Sequence, residues 1–362
     1  MRIFQFTPTL KRGDGVGNDV LAIHNFLRKE KNINTCIYYE FCAEKFDPNM
    51  AKNITRNKVP SCDEDILLIH VSIEWKYNEY ICSLPGRKIF IYHNITPPKF
   101  FEEYNNIAYN ASARGIEQVK KLKDAPEYCL AVSQFNKDDL ISYGYTCPID
   151  ILPIIIPFDD YKKSPDEETL KRYDDGKTNI LFVGRIAPNK KQEDVILAFH
   201  YYQKYYNPDS RLILLGSYDK GDRYYNKLVS FVEELGVKDV SFTCHLPFKE
   251  VIATFKSADL FVCMSEHEGF CIPLIEAMFF EIPIIAYDST AIKDTLGNGG
   301  ILMKEKNPLE VAGMMNYLMD HKELIETIRE NQKKILAEME YEKIAGRLWD
   351  YLTKFEPRLN EK

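Results

Sequence analysis

Two carboxylates and a glycine stand around one turn of this chain: Glu268 and Gly269 lie in a polar loop, and Glu276 follows eight positions after Glu268. The apolar run 260–263 before the loop has strand length and composition. Pro273 opens a segment of helical composition, where the N–H it lacks would have had no partner. Free amides at such a helix start favour an anion, and Gly269 lets backbone approach a ligand closely. Helical side chains lean toward the N-terminus, so Glu276 reaches back over the same pocket. One carboxylate before an anion site and one behind it suit a diphosphate flanked by hydroxyl-rich groups, as in a sugar nucleotide. A glutamate in a first helical turn is also common for its interaction with the helix dipole. The weight therefore rests on the whole string EGFCIPLIEAM rather than on the two glutamates.

Other candidates follow the same layout of a strand ending in a polar turn. The segment FVGRIAPNKK (182–191) ends a strand at Gly184 and places Arg185 and Lys190 on the way into a helix. Arginine by its fork and lysine as a point charge can neutralise a diphosphate, although lysines at a helix start are often only solvated. His93 ends a strand in the first half, a position where a histidine is more often structural than catalytic. The 13–17 segment, with Gly13, Gly15 and Gly17, reads as a glycine-bearing loop after the first strand, compatible with a plain tight turn. As a dinucleotide fingerprint it is weak, because Val20 stands where the third glycine belongs.

The elements that must hold these residues alternate. Strands are expected near 2–7, 35–39, 65–71, 88–92, 128–132 and 149–155, with helices over 19–30 (capped by Asn18 or Asp19), 99–123 and 134–143. After a proline-bearing segment and a polar run over 159–177, the alternation restarts with strands near 179–183, 211–215, 239–243, 260–263 and 282–286. Helices at 190–206, 223–235, 248–257, 307–319, 321–338 and 341–354 complete it. Alternation of this kind predicts parallel sheets covered by helices, in two Rossmann-like domains. The expected division is 1–160, 161–340, and a final helix in 341–362 crossing back to the first domain.

The 362 residues are 45% hydrophobic and 28% charged, ordinary for a globular chain large enough for two domains. A net charge of −7 argues against a general nucleic-acid binder. Nine scattered cysteines without a C-x-x-C pair read as reduced core thiols, not as a zinc site or disulfide framework. No apolar stretch approaches the roughly 20 residues of a membrane span, so a cytoplasmic protein is expected, with a peripheral membrane contact left open.

The string EGFCIPLIEAM resembles the E-x7-E signature of retaining glycosyltransferases of family 4, and 183–191 resembles that family's V-G-R-x-x-x-x-K-G motif. His93 matches the family's histidine at the end of a first-domain strand, and 13–17 resembles its glycine loop. Lys191 and Cys271 stand where the family usually has glycine, and Asn94 where it commonly has aspartate. The resemblance implies a GT-B fold, two facing Rossmann-like domains with a cleft between them. It implies transfer of a hexose from a nucleotide sugar to a glycan or lipid-linked hydroxyl with retained configuration. It further implies no cofactor and no metal, with GDP-mannose favoured over a UDP-hexose and a role in surface polysaccharide synthesis. By that resemblance Gly184, Arg185, Lys190, Gly269 and the Phe270 and Cys271 amides hold the donor phosphates, with Gly15 and Gly17 nearby. Glu276 takes the ribose, Glu268 the transferred sugar's hydroxyls, and His93 orients that sugar. A sugar-nucleotide epimerase or phosphorylase of the same fold, or a non-catalytic partner subunit, are the alternatives.

Overall fold

A computed structural model describes residues 1–361, and the chain divides into two compact units. The first comprises 1–98, 107–157 and 339–362; the second comprises 99–106 and 158–338.

The first unit is built on seven parallel strands: β1 (Ile3–Thr9), β2 (Thr35–Phe41), β3 (Ala51–Asn53), β4 (Ile66–Val71), β5 (Arg87–Tyr92), β6 (Tyr128–Ala131) and β7 (Ile149–Ile151), in the order β3-β2-β1-β4-β5-β6-β7. These strands are apolar almost throughout because helices cover both faces. On one face Ile3, Leu68, Ile89 and Ile91 pack against Ala22, Ile23 and Phe26 of the helix Gly15–Asn25 and against Ile344, Leu348 and Leu352 of the helix Tyr341–Phe355. On the other, Phe4, Phe6, Leu67 and Phe90 pack with Trp75, Val119 and Leu140.

The second unit carries six parallel strands: β8 (Thr178–Val183), β9 (Ser210–Leu215), β10 (Val240–Phe242), β11 (Leu260–Cys263), β12 (Ile284–Tyr287) and β13 (Ile301–Met303), in the order β10-β9-β8-β11-β12-β13. In both sheets the chain works outward on one side and then returns to start the other half. That reversal falls between β1 and β4 in the first unit and between β8 and β11 in the second. Loops at the carboxyl ends of strands flanking such a reversal splay apart and leave a crevice for ligands.

Several expected details differ. The helix expected over 19–30 begins at Gly15: the Asp14 carboxylate, not Asn18 or Asp19, caps it by accepting from the Gly17 amide at 3.2 Å. Gly15 and Gly17 therefore lie in a first helical turn and not in a loop. The helix expected over 99–123 is shorter, Asn106–Lys121; residues 99–106 instead belong with the second unit, where Tyr104 packs edge-on against Tyr224. The polar run 159–177 contains a helix, Glu167–Tyr173, capped by Asp166. All nine cysteines are free thiols, but only four are buried and Cys62 is exposed, so they are not all core residues. Among the described residues no helix is long and apolar enough to cross a membrane.

Candidate active site

The loops that follow β8 and β11 leave adjacent parallel strands at the point of reversal in the second unit. The first runs through Gly184 and Arg185 to a short helical turn, Pro188–Lys190, and then to the helix Gln192–Tyr205. The second runs from Met264 to Cys271 and then into the helix Ile272–Phe279. Backbone and side chain tie them together: the Glu266 amide donates to the Asn189 carbonyl at 2.9 Å, and the Asn189 side-chain amide donates to the His267 carbonyl at 3.0 Å.

Across this junction the Lys190 ammonium meets the Glu268 carboxylate at 2.5 Å. The pair is largely buried, with the Glu268 side chain only 8% exposed. Burial pushes the ammonium's pKa down; the Glu268 carboxylate, helped by Cys271 and Cys263, outweighs it, and the pKa lies above its ordinary value. Glu268 is further placed by its amide, which donates to the Thr290 hydroxyl at 2.9 Å. Arg185 is exposed and makes no ion pair among the described residues, while its carbonyl is pinned by the Gln192 side-chain amide at 3.0 Å. The two cations thus differ: one charge is held in place, the other points into solvent.

Glu276 is not joined to Glu268. Its carboxylate accepts from the Tyr161 hydroxyl at 2.5 Å, and burial raises its pKa even though that bond pulls it back. Tyr161 came from the stretch read as a boundary and was not legible as a partner.

The two departures from the family's glycines have one cause. Lys191 sits at φ 52° and Cys271 at φ 69°, both left-handed. A non-glycine residue pays roughly 1–2 kcal/mol there, a cost that glycine escapes. Lys191 turns to Glu193 and Glu266 at 3.9 and 3.8 Å, so Lys190 alone engages Glu268.

One structural glycine here escaped notice in the sequence. A Cβ on Gly216, just past β9, would stand 2.0 Å from the Gly184 carbonyl oxygen. Backbone cannot yield that distance without moving the 184–190 loop. Gly216→Ala is expected to destabilise the protein by about 1–3 kcal/mol, read as a lower denaturation midpoint in urea.

In the first unit His93 is reached from β5, its amide donating to the Val71 carbonyl at 2.9 Å. Its ring stacks on His70 with Nε2 2.9 Å from His70 Nδ1. Asn94 takes φ 81°, which asparagine tolerates, and donates to Asn136 and Asp139 at 2.9 and 3.0 Å. Ser133 caps the helix Gln134–Ser142. Gly17 has a packing role: its Cβ would lie 2.1 Å from the Lys11 carbonyl oxygen.

The sequence shows no metal-ligand spacing, yet folding gathers two groups whose donor atoms lie within 4.8 Å: Asp19, His70 and His93, and Cys263, Glu268 and Cys271. In the first, the two ring nitrogens already hydrogen-bond each other. In the second, Glu268 is engaged by the Lys190 cation.

Two parallel Rossmann-like sheets of these orders are those of the GT-B fold. Residues 166–335, most of the second unit, match the family described as glycosyl transferases group 1. An uncharacterized glycosyltransferase of Methanocaldococcus jannaschii is 26% identical over 91% of this chain and 92% of its own length. The O-antigen chain mannosyltransferase B of Escherichia coli is 24% identical over 49% of this chain and 48% of its own. Among solved structures, Anabaena HepE in complex with UDP and glucose superposes with a TM-score of 0.76 at 15% identity, covering 98% of this chain and all of that one.

Proposed function

We propose that this enzyme transfers a hexosyl group from a nucleotide sugar to a hydroxyl of a glycan or lipid-linked acceptor, retaining the anomeric configuration. The observation that carries the reading is the buried Lys190–Glu268 pair between two loops at the reversal of the second sheet. A fixed ammonium and an exposed guanidinium on one loop suit a leaving diphosphate, since charge develops on it as the glycosidic bond breaks. Lys190 and Arg185 take that charge without a metal ion, and the Phe270 and Cys271 amides add donors at the helix start. Glu276 takes the ribose hydroxyls, Glu268 takes hydroxyls of the transferred sugar, and His93 orients a sugar hydroxyl. On this reading the second unit is the donor domain, and the first carries the acceptor. With no residue assigned as nucleophile, the departing phosphate oxygen accepts the proton of the attacking hydroxyl.

GDP-mannose is favoured over a UDP-hexose. Its support is the O-antigen mannosyltransferase relative and a GDP-mannose-dependent alpha-mannosyltransferase of Mycolicibacterium smegmatis, 33% identical over 33% of this chain and 28% of its own. The UDP complex noted above speaks for the other base. Surface polysaccharide synthesis at the inner face of a membrane is the setting that fits such an acceptor.

A melting screen against GDP, UDP, ADP and their sugar conjugates, with and without EDTA, tests the reading. One nucleotide is expected to raise the melting temperature by mass action, equally in EDTA, and to lose that effect in Glu276→Ala. A flat response to every nucleotide sinks it.

A further inference from the structure

Among the buried polar side chains on one face of the first sheet, three form a connected chain: Gln5, His70 and His93. Gln5 in β1 lies opposite Leu68, and His70 in β4 lies opposite Ile91. With the two-residue alternation of strands, Gln5, His70 and His93 all point to the side covered by the helix Gly15–Asn25. They are 0%, 1% and 9% exposed, and a buried polar group is retained only where its bonds are made or where it serves a ligand.

Their hydrogen bonds leave one solution. The Val20 carbonyl can only accept, so Gln5 turns its amide nitrogen to it, at 3.2 Å. The Gln5 carbonyl oxygen therefore faces His70 Nε2 at 3.0 Å, and that nitrogen carries the hydrogen. Both rings are neutral: burial pushes His70 well below its ordinary value and His93 down to about 3. A neutral His70 protonated at Nε2 has a bare Nδ1, so His93 Nε2, 2.9 Å away, must be the donor. The reverse order would set the Gln5 oxygen against the Val20 oxygen. His93 Nδ1 is then a bare lone pair, buried and without a hydrogen-bond partner among the described residues.

We propose that Gln5 and His70 are positioning residues that lock His93 as its Nε2–H tautomer, so that Nδ1 accepts a hydrogen bond from a sugar hydroxyl. This rests on the glycosyltransferase reading for the identity of the hydroxyl, but not for the tautomer. A locked acceptor selects a ligand group that can donate, which a hydroxyl does and a phosphate or ring oxygen does not. The Asp19 carboxyl lies beside this chain of bonds, with Oδ2 3.8 Å from His93 Nε2; it accepts the Ile155 amide at 3.0 Å.

The tautomer is read on the full-length, ligand-free protein labelled with 15N-histidine, by long-range proton–nitrogen correlation, with His93→Gln assigning the signal among the seven histidines. His93 is expected to show hydrogen on Nε2 alone. His70→Leu is expected to give a mixture, and His70→Gln, whose amide can both accept from His93 and donate to Gln5, to restore the single form. Hydrogen on Nδ1, or a mixture in the unaltered protein, overturns the relay whatever the protein binds. In titrations with GDP, GDP-mannose, UDP and UDP-glucose, His70→Leu is expected to weaken the favoured sugar conjugate about tenfold, the worth of one hydrogen bond, and to leave its nucleoside diphosphate unchanged. His70→Gln should recover that loss. Equal weakening of both ligands marks a structural effect and overturns the positioning role. A protein that binds none of the four fails the functional reading and with it the hydroxyl assignment.

Discussion

Lys190→Ala is expected to lower kcat/KM by roughly 10²–10³, with the nucleotide sugar that the melting screen selects. Two effects combine. The diphosphate loses the one cation that is already fixed before it arrives, and Glu268, almost wholly buried, loses the partner 2.5 Å away. Removing one member of a buried pair leaves an uncompensated charge, which costs about 3–5 kcal/mol, whereas replacing both members can be neutral. The two contributions can therefore be separated. Lys190→Met with Glu268→Gln should recover most of the melting temperature lost by Lys190→Ala. The phosphate contribution is read on the nucleoside diphosphate alone, which carries no sugar for Glu268 to hold: its binding should stay weak in the double variant. If that binding recovers, the pair is structural and the phosphates are held by Arg185 and the helix start. Lys190→Arg is no substitute, since a planar fork does not fit where a point charge sits against one carboxylate.

The sequence carried the alternation of strands and helices because parallel strands covered on both faces are continuous apolar runs that stand out from polar connections. β3 and the helix Asn78–Ser83 are short and carry too few residues for a period to show. The start of the first helix was misread because both Asp14 and Asn18–Asp19 have capping chemistry, and tertiary packing decides between them. Asp19 is drawn inside by the Ile155 amide, 136 residues away in sequence. The candidate site was legible where a motif is local: Arg185, Lys190, Glu268 and Glu276, the residues proposed for it, each lie within ten residues of a recognisable glycine or proline. What stayed hidden was every partner brought in from elsewhere: Tyr161 for Glu276, Thr290 for Glu268, and Gln5 with His70 for His93. The left-handed backbone at Lys191 and Cys271 shows the converse. There the chain keeps the geometry that glycine would give, so a departure in residue type is no departure in shape.

Asp19→Asn is expected to stabilise the first unit increasingly as pH rises from 4 to 8. The Asp19 carboxyl is 1% exposed, and burial pushes its pKa up to about 7, opposed in part by the Ile155 amide. In the unfolded chain it titrates near 3.8. Between those values the folded state binds the proton and the unfolded state does not. Stability from this group is thus fully present below about pH 4 and declines as pH rises to 7. At about 1.4 kcal/mol per pH unit, the penalty at pH 8 is about 4 kcal/mol. Asparagine keeps an oxygen for the Ile155 amide and has no charge to desolvate, so the penalty vanishes in the variant. The histidines act with the opposite sign: burial pushes His24 and His267 down to about 4 and His93 to about 3. Their contributions are lost as pH falls below 6.5, but they are common to both proteins and drop out of the difference. Hydrogen exchange of the β4 and β5 amides, compared between the two proteins at pH 4, 6 and 8 after correction for intrinsic rates, reads the first unit directly. A protection difference that does not change with pH would show that Asp19 is ionised throughout, held by its neighbours as a buried carboxylate beside the His70–His93 pair.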